Sequence, residues 1–326
     1  MKREPRARRG SRVAVVLKRS SWRKWVEEER DARIAKLLDA KDEAVRRMRP
    51  GHVDHMETVA EVTGALDELG AKATFYDRPH DFRVKGRFDL VVTVGGDGTL
   101  LAASHGIGPG VPLLGVNSSP NNSVGFFCAA KKGGVKSVLA SALGGSLPGL
   151  ELARMRIDLN GKHLFDRVLN EALFCHLSPA ATSRYTLRLF DGQGQTLAEE
   201  EQKSSGLWIG PSAGSTAAQR SAGGRVLPPA SRSLQYVVRE AYRPRGGTLR
   251  MTVGLVASGQ ALAVKSKMRQ ARVFIDGEHI AYDVTIGDVV GFRKSDEPLI
   301  VLGLAKGAPS RRRTAANSRK RHVAIV

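Results

Sequence analysis

Apolar positions along this chain fall into two regimes. Up to Leu143, short continuous apolar runs alternate with stretches whose apolar residues recur at helical spacing. Val13–Leu17, Ala73–Tyr76, Leu90–Val94 and Val111–Val116 are the runs, of the kind that form strands buried on both faces. Between the first two, Trp22–Arg49 is rich in charge with scattered apolar residues, which predicts one or two surface helices. Val53, Met56, Val59, Ala60, Leu66 and Leu69 then recur at helical spacing up to Gly70, a capping residue. Thr99–His105 can open a helix, Asn117–Phe127 is a loop by its Asn, Ser, Pro and Gly content, Val135–Leu143 predicts a closing helix, and Gly144–Gly149 a linker. This β-α-β order predicts an α/β domain with a parallel, doubly wound sheet and its ligands at the carboxyl ends of the strands.

From Leu150 onward the pattern changes to short β-rich runs separated by turn signals, with Asn160-Gly161, Asp191-Gly192 and Asp276-Gly277 as hairpin dipeptides. A mainly antiparallel β domain follows. The expected boundaries are a basic arm at 1–12, the α/β domain at 13–149, the β-rich domain at 150–305 and a basic tail at 306–326.

Charge changes the picture only at the ends. The 326 residues carry a net +20, of which residues 1–12 supply +5 and residues 306–326 supply +7. Both arms are poor in apolar residues and lack periodicity, so they read first as disordered, solvated tails, with nucleic-acid contact as the lesser alternative. No apolar run approaches the roughly 18 residues that cross a bilayer, and no secretory signal precedes the first strand. Cys128 and Cys175 are the only cysteines, too few for a disulfide framework, so the expectation is a cytoplasmic protein without membrane contact.

Candidate chemistry centres on Gly95, Gly96, Asp97 and Gly98, placed between a buried strand and a helix. Glycines there let a phosphate reach backbone N–H groups, and the helix start adds partial positive charge. A carboxylate in that place repels a phosphate unless it binds a metal or takes a proton from an attacking hydroxyl, which makes Asp97 the candidate base. Asn170 and Glu171 interrupt an apolar run and need partners, either structural or from a ligand. Ser204–Gly224 supplies a second small-residue loop suited to a flat or phosphorylated ligand, and its Gly210-Pro211-Ser212-Ala213-Gly214 formally matches G-x-S-x-G. Asp276 and His279 lie too near each other in sequence to complete that triad. His52 and His55 are spaced to share a metal, but no third ligand is visible, and no metal site is assigned.

Four stretches together resemble the NAD kinases. They are Gly95-Gly96-Asp97-Gly98-Thr99, the loop from Gly115-Val116-Asn117 to Gly125-Phe126, the Asn170-Glu171 pair, and Gly214-Ser215-Thr216-Ala217 with Ser221-Ala222-Gly223-Gly224. The first alone is shared with diacylglycerol, sphingosine and phosphofructo-kinases; the set is specific. The resemblance covers about residues 13–305. It implies ATP-dependent phosphorylation of the 2′-hydroxyl of NAD's adenosine ribose, and an α/β domain followed by a β-sandwich-like domain whose final strands return to the first. It also implies Mg²⁺ with ATP, and a homodimer or homotetramer. By the same resemblance Asp97 lies beside the reacting hydroxyl, and Gly95, Gly96, Gly98, Thr99 and Asn117 belong to the nucleotide site. Phe126 lines the adenine side, Asn170 and Glu171 hold the dinucleotide, and Thr216 and Ala217 form part of its pocket. No Walker A lysine is present. Ser205 and Ala218 depart from the common bacterial pattern, and with Lys203-Ser204-Ser205-Gly206 they are similar to the mitochondrial-type branch. The alternatives are a kinase of the same superfold acting on a lipid or other hydroxyl, and a non-catalytic dinucleotide sensor.

Overall fold

The fold, a computed structural model, is described for residues 10–121, 123–243 and 247–304. The expected basic arms lie outside these residues except for 10–12, which already belong to the sheet: Gly10 N–H donates to Gly70 O and the first strand starts at Arg12.

The first half runs β1 (Arg12–Leu17), a π-helical turn (Arg23–Glu28), α1 (Ala32–Asp39), α2 (Met48–Glu68), β2 (Lys72–Tyr76), β3 (Leu90–Gly95), α3 (Asp97–Ser104), β4 (Leu113–Asn117), β5 (Cys128–Lys131), α4 (Val135–Leu143) and β6 (Gly149–Leu152). The second half runs β7 (Met155–Leu159), β8 (Lys162–Val168), β9 (Ala172–His176), β10 (Ser183–Phe190), β11 (Thr196–Ser204), β12 (Gly206–Pro211), a 3₁₀ turn (Ser212–Thr216), α5 (Ala218–Ser221), β13 (Leu234–Arg239), β14 (Val253–Val256), β15 (Ala261–Ser266), β16 (Ala271–Ile275), β17 (Ile280–Val284), β18 (Val289–Lys294) and β19 (Leu299–Leu302).

The first sheet has the order β2-β1-β3-β4-β19-β6, with β5 also on β4. Its pairs are parallel except β19 with β6. Every residue of β3 and β4 is buried, which is why their sequences run apolar instead of alternating. Val13, Val15, Leu90, Val92 and Val94 face α2 and α4 through Val62, Leu66, Val135 and Leu139. Ala14, Val16 and Val91 face the opposite way, onto Leu100 and Ala103 of α3 and onto Leu169 and Ala213 from the second half.

Two antiparallel sheets make up the rest, β11-β10-β15-β18-β7-β8 and β14-β13-β12-β9-β16-β17. Their inward residues, among them Ile157, Tyr185, Leu187 and Phe292 from one and Phe174, Ile209, Tyr236 and Val273 from the other, share one core, so the two sheets form a sandwich. Asn160 and Gly161 form a two-residue hairpin loop between β7 and β8, with φ of +52° and +77°, the conformation that this dipeptide accepts most readily.

The carboxyl end of α3 is pinned by arginines from the second half. Arg154 is fully buried and donates to Ser104 O at 3.0 Å, Ile107 O at 2.9 Å and Glu297 O at 2.5 Å. Arg167 donates to His105 O at 3.1 Å and to Glu297 Oε2 at 2.6 Å. Helix-terminal carbonyls and a guanidinium suit each other in both hydrogen bonding and dipole. Burial, with Arg167 nearby, lowers the Arg154 pKa to about 10, which leaves the guanidinium charged at neutral pH. Replacing Arg154 by Leu strands these carbonyls and is expected to cost about 3 kcal/mol or more in urea unfolding. Arg154→Lys, with fewer donors in one place, recovers only part of that. A loss below about 1 kcal/mol for Arg154→Leu would show that the carbonyls find other partners.

Candidate active site

The glycine loop joins β3 to α3 at the carboxyl edge of the parallel sheet, where such folds hold ligands. Its glycines have separate causes. A Cβ on Gly95 would run into the Thr99 side chain, and one on Gly96 into the Ser123 hydroxyl, whereas one on Gly98 would meet open space. Packing therefore accounts for the first two. Gly98 is the one whose face is free to receive something else.

Asp97 opens α3, and both of its carboxylate oxygens accept backbone hydrogen bonds. Phe126 N–H donates to Oδ2 and Phe127 N–H to Oδ1, each at 2.9 Å. The carboxylate is thus fixed in direction by the loop after β4, and each oxygen keeps lone-pair capacity. Phe127 is buried, whereas Phe126 is 36% exposed with its ring edge-on to Phe127. Asn117, at the end of β4, is occupied within that loop. Its Nδ2 donates to Ser123 O at 3.0 Å, its Oδ1 accepts from Ser119 N–H at 3.1 Å, and Gly125, at φ +63°, passes so close that a Cβ would strike its amide. Asn117 organises the loop that holds Asp97, and Thr99 packs over Gly95.

A second group of site residues converges on Asp276, which the sequence offers as a turn residue and as a triad partner that its nearness to His279 excludes. Asp276 follows β16 with φ +49°, and its side chain has no exposed surface. Oδ1 accepts from Asn170 N–H at 2.8 Å and Glu171 N–H at 3.0 Å; Oδ2 accepts from Leu169 N–H at 2.9 Å and lies 2.7 Å from His105 Nε2. His105 caps α3, so one carboxylate joins the helix that Asp97 starts to the turn that carries Asn170 and Glu171. No sequence signal marked His105 or the burial of Asp276.

Asn170 Oδ1 and Glu171 Oε2 are buried and have no hydrogen-bond partner among the described residues. Burial, aided by the charge of Asp276, pushes the Glu171 pKa up to about 8. The carboxyl is therefore largely protonated near neutrality and can donate as well as accept. The second small-residue loop lies against this turn. A Cβ on either Gly210 or Gly214 would collide with the Asn170 carbonyl, so these two glycines admit protein backbone. Thr216 and Ala217 follow directly and are half-buried. Gln219 Nε2 approaches Asn170 O at 3.4 Å, and Gln219 is itself held by Gln235 at 3.1 Å. Ser212 is no nucleophile, because its hydroxyl donates to Pro229 O and Ser231 O. His52 and His55 also diverge, one to Ser20 Oγ at 2.8 Å and the other to Ser118 Oγ at 3.0 Å.

Known proteins match both the sequence and the fold. The family description "ATP-NAD kinase N-terminal domain" matches residues 20–144. A probable NADH kinase of Oryza sativa subsp. japonica is 38% identical over 227 residues, covering 65% of this chain and 70% of that protein. An NADH kinase of Arabidopsis thaliana is 36% identical over 235 residues, covering 67% and 74%. In fold, an NAD kinase from Archaeoglobus fulgidus, solved in complex with ATP, is similar at a TM-score of 0.60 over 89% of this chain and 92% of that one, at 20% identity. The plant relatives, matched over most of their length, and the family match across the glycine loop lead to one assignment: this chain belongs to the NAD kinase family.

Proposed function

We propose that the chain transfers the γ-phosphoryl group of ATP to the 2′-hydroxyl of the adenosine ribose of NAD, giving NADP. The observation that carries this reading is the pair of buried oxygens on Asn170 and Glu171, left unpartnered and tied through Asp276 and His105 to the helix that begins at Asp97. Buried polar atoms without protein partners are rare, and an amide oxygen beside a protonated carboxyl suits the hydroxyls of a ribose. Relatives named NAD kinase and NADH kinase both occur, and the acceptor hydroxyl lies on the adenosine half, so the same chemistry serves either redox state.

A ribose hydroxyl is a weak nucleophile at neutral pH, and Asp97 is the base assigned to accept its proton. The two N–H groups from Phe126 and Phe127 fix the carboxylate before substrate arrives, which keeps reorganisation out of the reaction step. Gly98 leaves room for phosphate oxygens at the start of α3, where the helix dipole favours them. Among the described residues no group of three or more His, Cys, Asp or Glu could hold a metal ion. That donor set fits a Mg²⁺ carried chiefly by the nucleotide's phosphates, with Asp97 as the glycine loop's one carboxylate. Such an ion neutralises charge on the phosphate oxygens when bound. A homodimer or homotetramer and a cytoplasmic location belong to the same proposal; among the described residues no helix is long and apolar enough to cross a membrane.

NADP formation from NAD, ATP and Mg²⁺, read with an NADP-specific dehydrogenase, tests the reaction directly. Asp97→Asn is expected to lower kcat by at least about 10²-fold with little change in the KM for NAD, the signature of a lost base. A rise in KM with kcat retained would instead assign Asp97 to holding the Phe126–Phe127 loop alone.

Glu171 generates a stability prediction. Its folded pKa of about 8 stands above the ordinary carboxyl value of 4.5, so the unfolded chain releases this proton first as pH rises. The ligand-free protein therefore loses stability across that window, from about pH 4.5 to about pH 8. Glu171→Gln is expected to remove this part of the slope, so its melting temperature gains on that of the wild type between pH 5 and pH 8 while dinucleotide affinity falls. Parallel melting curves against pH would show that Glu171 ionises freely in the folded chain.

A further inference from the structure

Gly98, Leu101, Ala102 and His105 share one face of α3 and its cap, and they wall a cavity of about 230 Å³. The opposite wall is Ile275, Asp276, His279 and Ile280 of the β16–β17 hairpin, and His80, from the segment after β2, closes the rim. Among its lining residues there is no lysine or arginine, and the nitrogen bases are the imidazoles of His80, His105 and His279. His105 is committed to Asp276. The rings of His80 and His279 lie 4.1 Å apart, tilted by 57°, and among the described residues neither makes a salt bridge.

The cavity reaches Gly98, next in sequence to Asp97. A group seated there adjoins the hydroxyl that the reaction proposed above would phosphorylate, and phosphate oxygens are what must gather at that point. Leu101, Ala102, Ile275 and Ile280 supply apolar surface behind His80 and His279, which are themselves exposed.

Resting on that reading of the reaction, we propose that this cavity is a phosphate subsite in which His80 and His279 donate hydrogen bonds to the oxygens of a nucleotide phosphate. The groups facing His80 fit such an occupant. Burial lowers its pKa most, although the residue keeps an exposed edge; the charges of His279 and His105 lower it further, and Asp81 on its own segment acts in the opposite sense. Glu278 lies beside His279 in the turn, and Asp276 has its carboxylate taken up by four donors. Two imidazoles this close resist being charged together, and a phosphate that accepts a hydrogen bond from the edge of each ring offsets that resistance. Binding then takes up protons and tightens as pH falls, by up to about tenfold per pH unit for each proton taken up.

The test is a titration of inorganic phosphate into the full chain, followed by the imidazole resonances in NMR. Two histidines should shift saturably, with a dissociation constant that falls at least about fivefold from about pH 8 to about pH 6.5. In the double variant His80→Asn, His279→Asn that binding should weaken at least about tenfold and keep only the pH dependence that the phosphate's own ionisation gives. Silent histidines, or phosphate binding that is the same in the double variant, would overturn the proposal. Steady-state kinetics of the single variants name the source: a higher KM for ATP assigns the subsite to the donor, a higher KM for NAD to the dinucleotide, and unchanged values for both argue against the subsite. Because the titration needs no turnover, phosphate binding on these histidines without NADP formation would sink the kinase reading alone. Turnover with silent histidines would sink this one alone.

Discussion

The site depends on one buried carboxylate. Asp276 has no exposed side-chain surface, and removing a charge from water costs several kcal/mol unless its lone pairs are filled. Four donors fill them, three from consecutive backbone N–H groups at Leu169, Asn170 and Glu171 and one from His105. The dependence is mutual. Without Asp276 those three N–H groups would be orphans in a turn that belongs to no strand ladder, and the side chains of Asn170 and Glu171 would have nothing to set their direction. The same charge helps push the Glu171 pKa upward, so geometry and protonation at the Asn170–Glu171 pair share a cause.

A second set of contacts holds α3 at both of its ends. That helix is only eight residues long, too short to persist without tertiary support, yet it carries Asp97 at its start and His105 at its end. Arg154 and Arg167 hold its last carbonyls, and Phe126 and Phe127 N–H groups hold its first side chain. Both ends are thus fixed by segments distant in sequence. The span between the proposed base and the Asp276 clamp is set by a helix with little freedom to shift.

How much of this the sequence disclosed follows from how local each signal is. The parallel strands were legible because both sheet faces are covered, so Leu90–Gly95 is wholly buried and reads as unbroken apolar residues. Asn160-Gly161 was legible because a two-residue loop with positive φ at both positions selects that dipeptide. Asp276 was not, because its residue type and its place before Gly277 describe an exposed turn equally well; only the tertiary fold buries it. The π-helical turn at Arg23–Glu28 has no pattern of its own, and nothing local in Leu299–Leu302 says which sheet that strand joins; only the family resemblance points it back to the first domain. Gly210 and Gly214 were legible as a need for small residues, but their cause is the Asn170 carbonyl pressed against them, a contact between segments about 40 residues apart.

The clamp also bears on how the site tolerates departures from the common family pattern. Ala218 supplies no aromatic ring, and the next residue, Gln219, is fully buried in a chain of amides that runs from Asn170 O through Gln219 to Gln235 and on to Arg225. A buried amide pair is costly unless satisfied, and here each Gln finds partners on both its oxygen and its nitrogen or on neighbouring backbone. The position that lacks a stacking surface is followed by one that braces the backbone of the Asn170–Glu171 turn from behind. In the proposed reaction, such pre-organisation would lower the entropy lost on dinucleotide binding, in the same direction as the contact that an aromatic would have supplied. Asp276 in front and Gln219 behind therefore hold one three-residue turn from two sides, and the unpartnered Asn170 and Glu171 oxygens project from a backbone fixed by both.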